Sequence, residues 1–461
     1  MDLHGKKVLV VGLARTGLAT VKFLKKKGAI VSASESKLEA EMKEVASELG
    51  EMSISLEWGG HTVSQFLKQD LIILSPGVDP ALEPIRKALD KGVQVISEME
   101  LAYQFIRIPI IAITGTNGKT TTTLLIGDML KEEGKKVGVG GNVGDPLILF
   151  AEGGEQWEIL VVEVSSFQLE GIDVFRPRCS VLLNITEDHL DRYSKYEDYI
   201  EAKSRIFKNQ GAEDVAILNW DDPIVMKHEK RVKAKKFFFS LKERVKEGGF
   251  FNGEEVVLIL NGREETYSLS QSPLKGIHNV ENMMAAIIAA RLFGSSKEAI
   301  QRVINRFRGL EHRLEFVREI EGVFYYNDSK GTNLGSVIKS LQSFQEPVIL
   351  IAGGKDKMTD LHSLKEWVKS RVRRMILIGE AKERMARELG SLTDTVMAGT
   401  LEEAVLLAYR MAKRGEVVLL SPACSSFDMF RDYKERGKVF KEAVQRLSTK
   451  SEARNPKFET I

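Results

Sequence analysis

A chain of 461 residues exceeds what a single hydrophobic core organises and predicts two to four domains. Its 43% apolar and 29% charged residues describe a soluble globular protein, and a net charge of +2 gives no reason to invoke a nucleic-acid or membrane partner. Two cysteines, Cys179 and Cys424, each in an apolar context, do not indicate a disulfide framework and point to a reducing compartment. With no signal-peptide pattern at the start and no apolar run of bilayer length, a cytoplasmic protein is the expectation.

The chain opens with an apolar run, Lys7 to Val11, that ends in Gly12-Leu-Ala-Arg-Thr16-Gly17. A helical segment from Ala19 to Lys27 and a second strand, Ala29 to Ala33, follow, and the latter runs into Ser34-Glu35-Ser36-Lys37. This is a Rossmann-like opening with an acidic residue after the second strand, although Gly-x4-Gly is not the dinucleotide fingerprint. Another strand, Asp70 to Leu74, ends at Ser75-Pro76-Gly77-Val78. Turns at the strand ends of one α/β sheet line a common crevice, and this first domain is expected to close near residue 105.

The most informative stretch comes next. Ile110 to Thr114 is apolar and β-branched, Gly115-Thr116-Asn117-Gly118-Lys119-Thr120-Thr121 is a glycine-punctuated turn, and a helical segment follows. Strand, turn and helix N-terminus in this order form a phosphate loop: backbone N–H groups approach phosphate oxygens, the lysine reaches the terminal phosphates, and Thr120 is placed to ligate Mg²⁺. The spacing Gly-Thr-Asn-Gly-Lys-Thr is shorter than the common Gly-x4-Gly-Lys-Ser/Thr.

Lys136 to Gly140 leads into Gly141-Asn142-Val143-Gly144, and Glu158 to Val164 carries Glu163 at its end, where a metal-binding carboxylate beside a phosphate loop belongs. Ser180 to Ile185 precedes Thr186-Glu-Asp-His189-Leu-Asp-Arg192, where the histidine reads either as a turn hydrogen-bonder or as a metal or anion ligand. Tyr199 to Asn209 looks helical, and by periodicity alone its Lys203 is a solvated lysine. Lys227 to Lys236 reads as a solvated basic face, and residues 236–270 as short antiparallel strands with turns at Gly248-Gly249 and Asn261-Gly262. His278-Asn-Val-Glu-Asn282 opens a helix rich in small residues.

From Gly309 the pattern alternates again. Val323 to Asn327 ends in Asp328-Ser-Lys-Gly-Thr332-Asn333, and Pro347 to Ala352 in Gly353-Gly-Lys355-Asp-Lys357. Met375 to Ile378 ends in Gly379, and Val417 to Leu420 in Ser421-Pro-Ala-Cys-Ser-Ser426. Such alternation predicts a second doubly wound domain. Thr449 to Ile461 reads as a loose polar tail.

Taken in order, Gly115-Thr-Asn-Gly-Lys-Thr, Glu163-Val-Ser-Ser-Phe-Gln-Leu, Asn184-Ile-Thr-Glu-Asp-His-Leu-Asp-Arg, His278-Asn-Val-Glu-Asn, Asn327-Asp-Ser-Lys-Gly-Thr-Asn and Ser421-Pro-Ala-Cys-Ser-Ser-Phe-Asp resemble the Mur ligases, in particular the D-glutamate-adding ones. The resemblance covers Gly12 to about Phe440. It implies a three-domain α/β protein: a Rossmann-like UDP-substrate domain (1–105), a central P-loop ATPase domain with a mainly parallel sheet (106–308), and a Rossmann-like amino-acid domain (309–461). It also implies a monomer.

The implied reaction belongs to peptidoglycan precursor synthesis. ATP phosphorylates the carboxylate of UDP-N-acetylmuramoyl-L-alanine, D-glutamate attacks the acyl phosphate, and ADP and phosphate leave. By resemblance, Lys119, Glu163, His189 and Lys203 are the catalytic group, with Thr120, Glu163, His189 and a carbamylated Lys203 holding two Mg²⁺ ions. Asn282, Arg313 and Asp328 join Gly115 to Thr121 at the nucleotide. Thr16, Glu35, Ser36, Lys37 and Ser75 take the uridine diphosphate end, and Asn142 the reacting end. Thr332, Lys357, Ser426 and Tyr433 take D-glutamate, with Lys355 competing for the place of Lys357. The family commonly has arginine at Lys37 and phenylalanine at Tyr433. Rival readings are another amide ligase of the same superfamily, such as folylpolyglutamate synthetase, and a nucleotide-binding protein without catalysis.

Overall fold

The structure, a computed structural model, describes residues 1–447 except 53, 153–155, 189–191, 194, 275, 310 and 359. His189 and the tail from Thr449 therefore lie outside the described residues. The chain divides into two compact units, one of Met1–Gln271 with Glu281–Asn305 and the other of Ser272–Val280 with Arg306–Ile461.

The first unit carries two sheets. Strands β1 (Lys7–Val11), β2 (Ile30–Glu35), β3 (Ser55–Trp58), β4 (Leu71–Leu74) and β5 (Gln94–Ser97) form a parallel sheet in the order β3-β2-β1-β4-β5. Val8 to Val11 are wholly buried, as parallel strands covered on both faces must be. The turn after β1 is tight. A Cβ on Gly17 would lie 1.9 Å from the Gly12 carbonyl oxygen, so only glycine lets the following helix, Arg15–Lys26, start so close to the strand end.

The second sheet has strands β6 (Ile110–Thr114), β7 (Val137–Gly141), β8 (Ile159–Glu163), β9 (Cys179–Leu182), β10 (Val215–Asn219), β11 (Lys235–Ser240), β12 (Gly248–Phe251), β13 (Glu255–Leu260) and β14 (Arg263–Ser268). Its order is β14-β13-β12-β11-β10-β9-β6-β8-β7. β6 thus lies between β8 and β9, so the turns after these three strands meet. One expectation fails here: β12 pairs with β11 in parallel, and only β12, β13 and β14 form the antiparallel meander. Gly248-Gly249 are strand residues, because Asp221 and the Ser240 hydroxyl take the N–H groups of Leu241, Lys242 and Glu243 and turn the chain before β12. The Asn261-Gly262 turn stands as expected, with both residues at positive φ (52° and 73°), as a two-residue hairpin loop requires.

Buried carboxylates join the two sheets. Glu98 and Glu100 lie on the helix Glu98–Tyr103 after β5. Glu98 accepts the Ile148 N–H at 2.7 Å, and Glu100 accepts the successive N–H groups of Asp173, Val174 and Phe175 at 2.8–3.2 Å. Burial pushes the Glu98 carboxyl up to about 7, the Ile148 N–H opposing it only in part.

The second unit holds β15 (Glu315–Ile320), β16 (Val323–Asn327), β17 (Val348–Gly353), β18 (Val372–Ile378), β19 (Asp394–Met397) and β20 (Val417–Leu420), in the order β15-β16-β20-β17-β18-β19. Only the β15–β16 pair is antiparallel. Apolar cores cover both faces, with Leu350 and Leu419 on one side and Ile351 and Leu420 on the other. Cys179 and Cys424 are buried thiols in separate units. No helix among the described residues is long and apolar enough to cross a membrane.

Glu98 sets a pH dependence. The folded carboxyl holds its proton to about 7 while the ordinary value is 4.5, so the folded state binds more protons between these values and stability falls as pH rises through the window. Lys203, whose folded amine is held below the ordinary lysine range, contributes in the opposite direction, so the test is the difference between two proteins. Urea midpoints of Glu98→Gln should gain on those of the parent from pH 5 to 8, with the variant ahead at pH 8 by on the order of 2 kcal/mol. Parallel pH profiles would show that Glu98 titrates as an ordinary carboxyl.

Candidate active site

The phosphate loop is shaped from both sides. Gly118 caps the helix Lys119–Glu132 with φ 85°, and its Cα faces Asn282 so closely that a Cβ would lie 2.1 Å from the Asn282 Oδ1. Asn282 in turn accepts from the Thr122 hydroxyl at 3.3 Å. Thr120 and Thr121, in the first helical turn, are buried. The Lys119 ammonium folds back and donates to the carbonyls of Gly115 and Thr116, both at 2.9 Å.

Lys203 arrives at the same place. Its ammonium donates to the Gly115 carbonyl at 2.8 Å and sits 4.5 Å from the centroid of the Tyr199 ring. The residue is 2% exposed, which overturns the solvated lysine predicted by periodicity. The last turn of the helix Tyr196–Ser204 faces the phosphate loop rather than water. Burial, and then the Lys119 cation, push the Lys203 amine well below the ordinary lysine range; Asp188 and Glu163 oppose this without restoring it.

Glu163 ends β8 next to the loop. Its Oε1 accepts from the Asn142 side chain at 2.9 Å, and the Asn142 N–H donates to the Glu163 carbonyl at 2.8 Å. Oε2 is buried with no hydrogen-bond partner among the described residues. Such an oxygen has acceptor capacity for a cation. No three His, Cys, Asp or Glu side chains cluster as a metal site among the described residues, and His189 lies outside them. The structure thus gathers Gly115 to Thr121, Asn142, Glu163, Lys203 and Asn282 within one unit.

The residues expected at the uridine end sit at the strand ends of the first sheet. Glu35 accepts from the Leu13 N–H at 2.7 Å and from the Lys37 N–H and Ser36 hydroxyl at 3.1 Å, and Ser75 donates to the Gly12 carbonyl at 2.7 Å. Burial alone would raise the Glu35 carboxyl; these donors hold it below its ordinary value. Thr16 lies in the first turn of the helix that follows β1, and Lys37 is exposed.

In the second unit, Asp328 follows β16 and accepts from the hydroxyls of Ser421 and Ser340 at 2.7 and 2.8 Å and from the Leu314 N–H at 3.2 Å. Burial pushes its carboxyl up to about 6 despite these donors and the Arg313 charge. Lys357 donates to the Thr332 carbonyl at 3.0 Å, whereas Lys355 is paired with Glu380 at 3.3 Å. Asp356, between them, is fixed by two bonds of 2.7 Å from Arg384. Ser426 is buried, and the Tyr433 carbonyl accepts from the Ser329 hydroxyl at 2.8 Å. The ammonium of Lys330 lies 5.0 Å from the centroid of the Tyr433 ring. The buried guanidinium of Arg436 ties the two loops together through Ser329 and the carbonyls of Cys424 and Ser425.

Lys330 and Arg436 were given no role from sequence, nor was Asn184, whose side chain bonds the backbone of Asn117. Asn184 and Lys330 lie inside the motif strings and follow strand ends, which was the available signal.

The sequence matches three families: Mur ligase MurD-like, N-terminal domain, over residues 6–97; Mur ligase middle domain over 113–290; and Mur ligase, glutamate ligase domain, over 312–424. It is 52% identical over 448 residues to the UDP-N-acetylmuramoylalanine--D-glutamate ligase of Geotalea daltonii, covering 97% of this chain and 99% of that protein. It is 51% identical over 447 residues to the protein of the same name from Geotalea uraniireducens, covering 97% and 99%. Its fold is like that of a pseudomurein peptide ligase type C from Methanothermus fervidus, with a TM-score of 0.60 at 20% identity over 96% of this chain and 100% of that one.

Replacing Gly118 tests the loop directly. Gly118→Ala should cost about 1–2 kcal/mol for the left-handed backbone alone, read as a lower thermal midpoint. If the loop shifts to relieve that strain and the approach of the new Cβ to Asn282, ADP binding should weaken in a calorimetric titration, about tenfold for each 1.4 kcal/mol needed to restore the loop. An alanine variant with parent-like midpoint and ADP affinity would show that this backbone is not required.

Proposed function

The chain belongs to the Mur ligase family, and from that premise we propose that it joins D-glutamate to UDP-N-acetylmuramoyl-L-alanine, converting ATP to ADP and phosphate in peptidoglycan precursor synthesis. The observation that carries this reading is identity of about half, along nearly the whole chain, with ligases of that name. The meeting of Lys119 and Lys203 at one carbonyl, beside Glu163, favours a catalytic protein over a nucleotide-binding one.

ATP transfers its γ-phosphoryl group to the substrate carboxylate, giving an acyl phosphate and ADP. The neutral amine of D-glutamate adds to the acyl carbon, and the tetrahedral intermediate expels phosphate as the amide forms. Both partners of the first step are anions, so the protein must position and neutralise rather than supply a nucleophile. Lys119 and the N–H groups of the loop receive the phosphates, Asn282, Arg313 and Asp328 the rest of the nucleotide. Thr16, Glu35, Ser36, Lys37 and Ser75 hold the uridine diphosphate end, and Asn142 steadies the reacting end. Lys357, with Thr332, Ser426 and Tyr433, receives D-glutamate, and the engagement of Lys355 with Glu380 favours Lys357 for the carboxylate contact.

The oxygen-rich surroundings suit Mg²⁺. Thr120 and Glu163 would hold one ion, the latter through its unpartnered oxygen, and His189 with a carbamylated Lys203 a second. Bound there, Mg²⁺ supplies charge neutralisation for the phosphates. Carbamylation is consistent with the burial of Lys203: a neutral amine bonds to the carbon of CO₂ and loses a proton, and a cation becomes an oxygen ligand.

Phosphate release should require UDP-N-acetylmuramoyl-L-alanine and D-glutamate together, with D-glutamine a poor acceptor because it lacks the charge that Lys357 recognises. Lys357→Ala should raise the KM for D-glutamate about tenfold or more, and Lys355→Ala should leave it near the parent value. Equal use of D-glutamate and D-glutamine would reject the pocket.

Lys203→Arg should be inactive although it keeps a positive charge, because a guanidinium does not form the carbamate. Lys203→Ala should be impaired and partly restored by a short carboxylic acid added to the assay. Parent-like turnover of Lys203→Arg would return Lys203 to a structural role.

A further inference from the structure

Asn184 follows β9 and is 8% exposed. Its side chain bonds in both directions with the backbone of a single residue, and so with the two peptide groups that flank it: Oδ1 accepts the Asn117 N–H at 2.8 Å, and Nδ2 donates to the Asn117 carbonyl at 3.1 Å. Its backbone carbonyl accepts the Thr116 N–H at 2.9 Å. At Gly115, a Cβ would stand 3.3 Å from both the backbone nitrogen and the carbonyl oxygen of Asn184. One residue therefore reads three consecutive positions of the phosphate loop. Asn184 is itself held from outside: Asp222 accepts the Ile185 N–H at 2.9 Å, and the Asn219 side chain donates to the Leu183 carbonyl at 2.9 Å.

We propose that Asn184 is the positioning residue of the phosphate loop, holding the backbone of Thr116 and Asn117 so that the N–H groups that follow, from Gly118 into the helix, are presented to nucleotide. A primary amide suits this task because it presents one acceptor and one donor side by side, matching the N–H and carbonyl of the residue it faces. Neither a carboxylate nor a hydroxyl offers both in the same geometry. In a glycine-bearing loop, such a clamp restricts conformations that the chain would otherwise populate. Pre-ordering the loop lowers the ordering cost of binding, so the effect falls on nucleotide affinity more than on the fold. Asn184 acts through the loop and touches no reacting atom.

The inference rests on the nucleotide reading above, and the test separates the two. ADP and UDP-N-acetylmuramoyl-L-alanine are titrated separately into the parent protein, Asn184→Ala and the near-isosteric Asn184→Asp, with thermal midpoints measured alongside. Absence of ADP binding by the parent protein would overturn the nucleotide reading itself. With that binding established, Asn184→Ala should weaken ADP about 10- to 100-fold and leave the UDP substrate within about twofold. The KM for ATP should rise accordingly. Asn184→Asp should behave likewise, since it keeps the acceptor and loses the donor; it decides the matter if the alanine variant does not fold. ADP affinity within about twofold of the parent, or equal weakening of both ligands, would overturn the proposal.

Discussion

The carbonyl oxygen of Gly115 accepts hydrogen bonds from two lysines, the partly buried Lys119 at 2.9 Å and the buried Lys203 at 2.8 Å. Two ammonium groups so arranged repel each other in a medium that screens poorly, and the more deeply buried one yields its proton more readily. That constraint explains the company they keep. Glu163 and Asp188 offset the charge in part, and the Tyr199 ring turns its face to Lys203. The sheet order makes the arrangement affordable in backbone terms: β6 between β8 and β9 brings the strand ends together without distorting any of the three.

What could be read in sequence was what depends on neighbours in the chain. The phosphate loop is contiguous, so its strand, glycines, lysine and helix announce one another. Glu163 was legible for a related reason, since a parallel sheet sets strand ends side by side. Lys203 was legible only through resemblance. Its helix carries no strong apolar stripe, and its burial comes from a carbonyl 88 residues away. The parallel pairing of β12 with β11 was missed because it depends on side chains that take the N–H groups of the connecting turn. The surroundings of Lys355 and Lys357 lay beyond pattern, because their partners, Glu380 and the Thr332 carbonyl, are remote in the chain.

The second unit manages its polar interior differently. Asp328 meets two hydroxyls and an N–H, and Arg436 meets carbonyl and hydroxyl oxygens of two separate loops. Burial moves both groups toward neutrality, Asp328 up to about 6 and Arg436 down to about 10. Groups this demanding tolerate few alternative loop conformations, because each alternative would strand a buried donor or acceptor. The loops after β16 and β20 are thereby tied into one surface.

The carboxylate of Glu100, gripped by three successive N–H groups, and its neighbour Glu98 tie elements of the first and second sheets together inside one compact unit. The crevice at the ends of β1, β2 and β4 and the loop after β6 are thus linked through buried carboxylates rather than through exposed side chains alone. While this link holds, a molecule spanning from crevice to loop would have to do so by its own length.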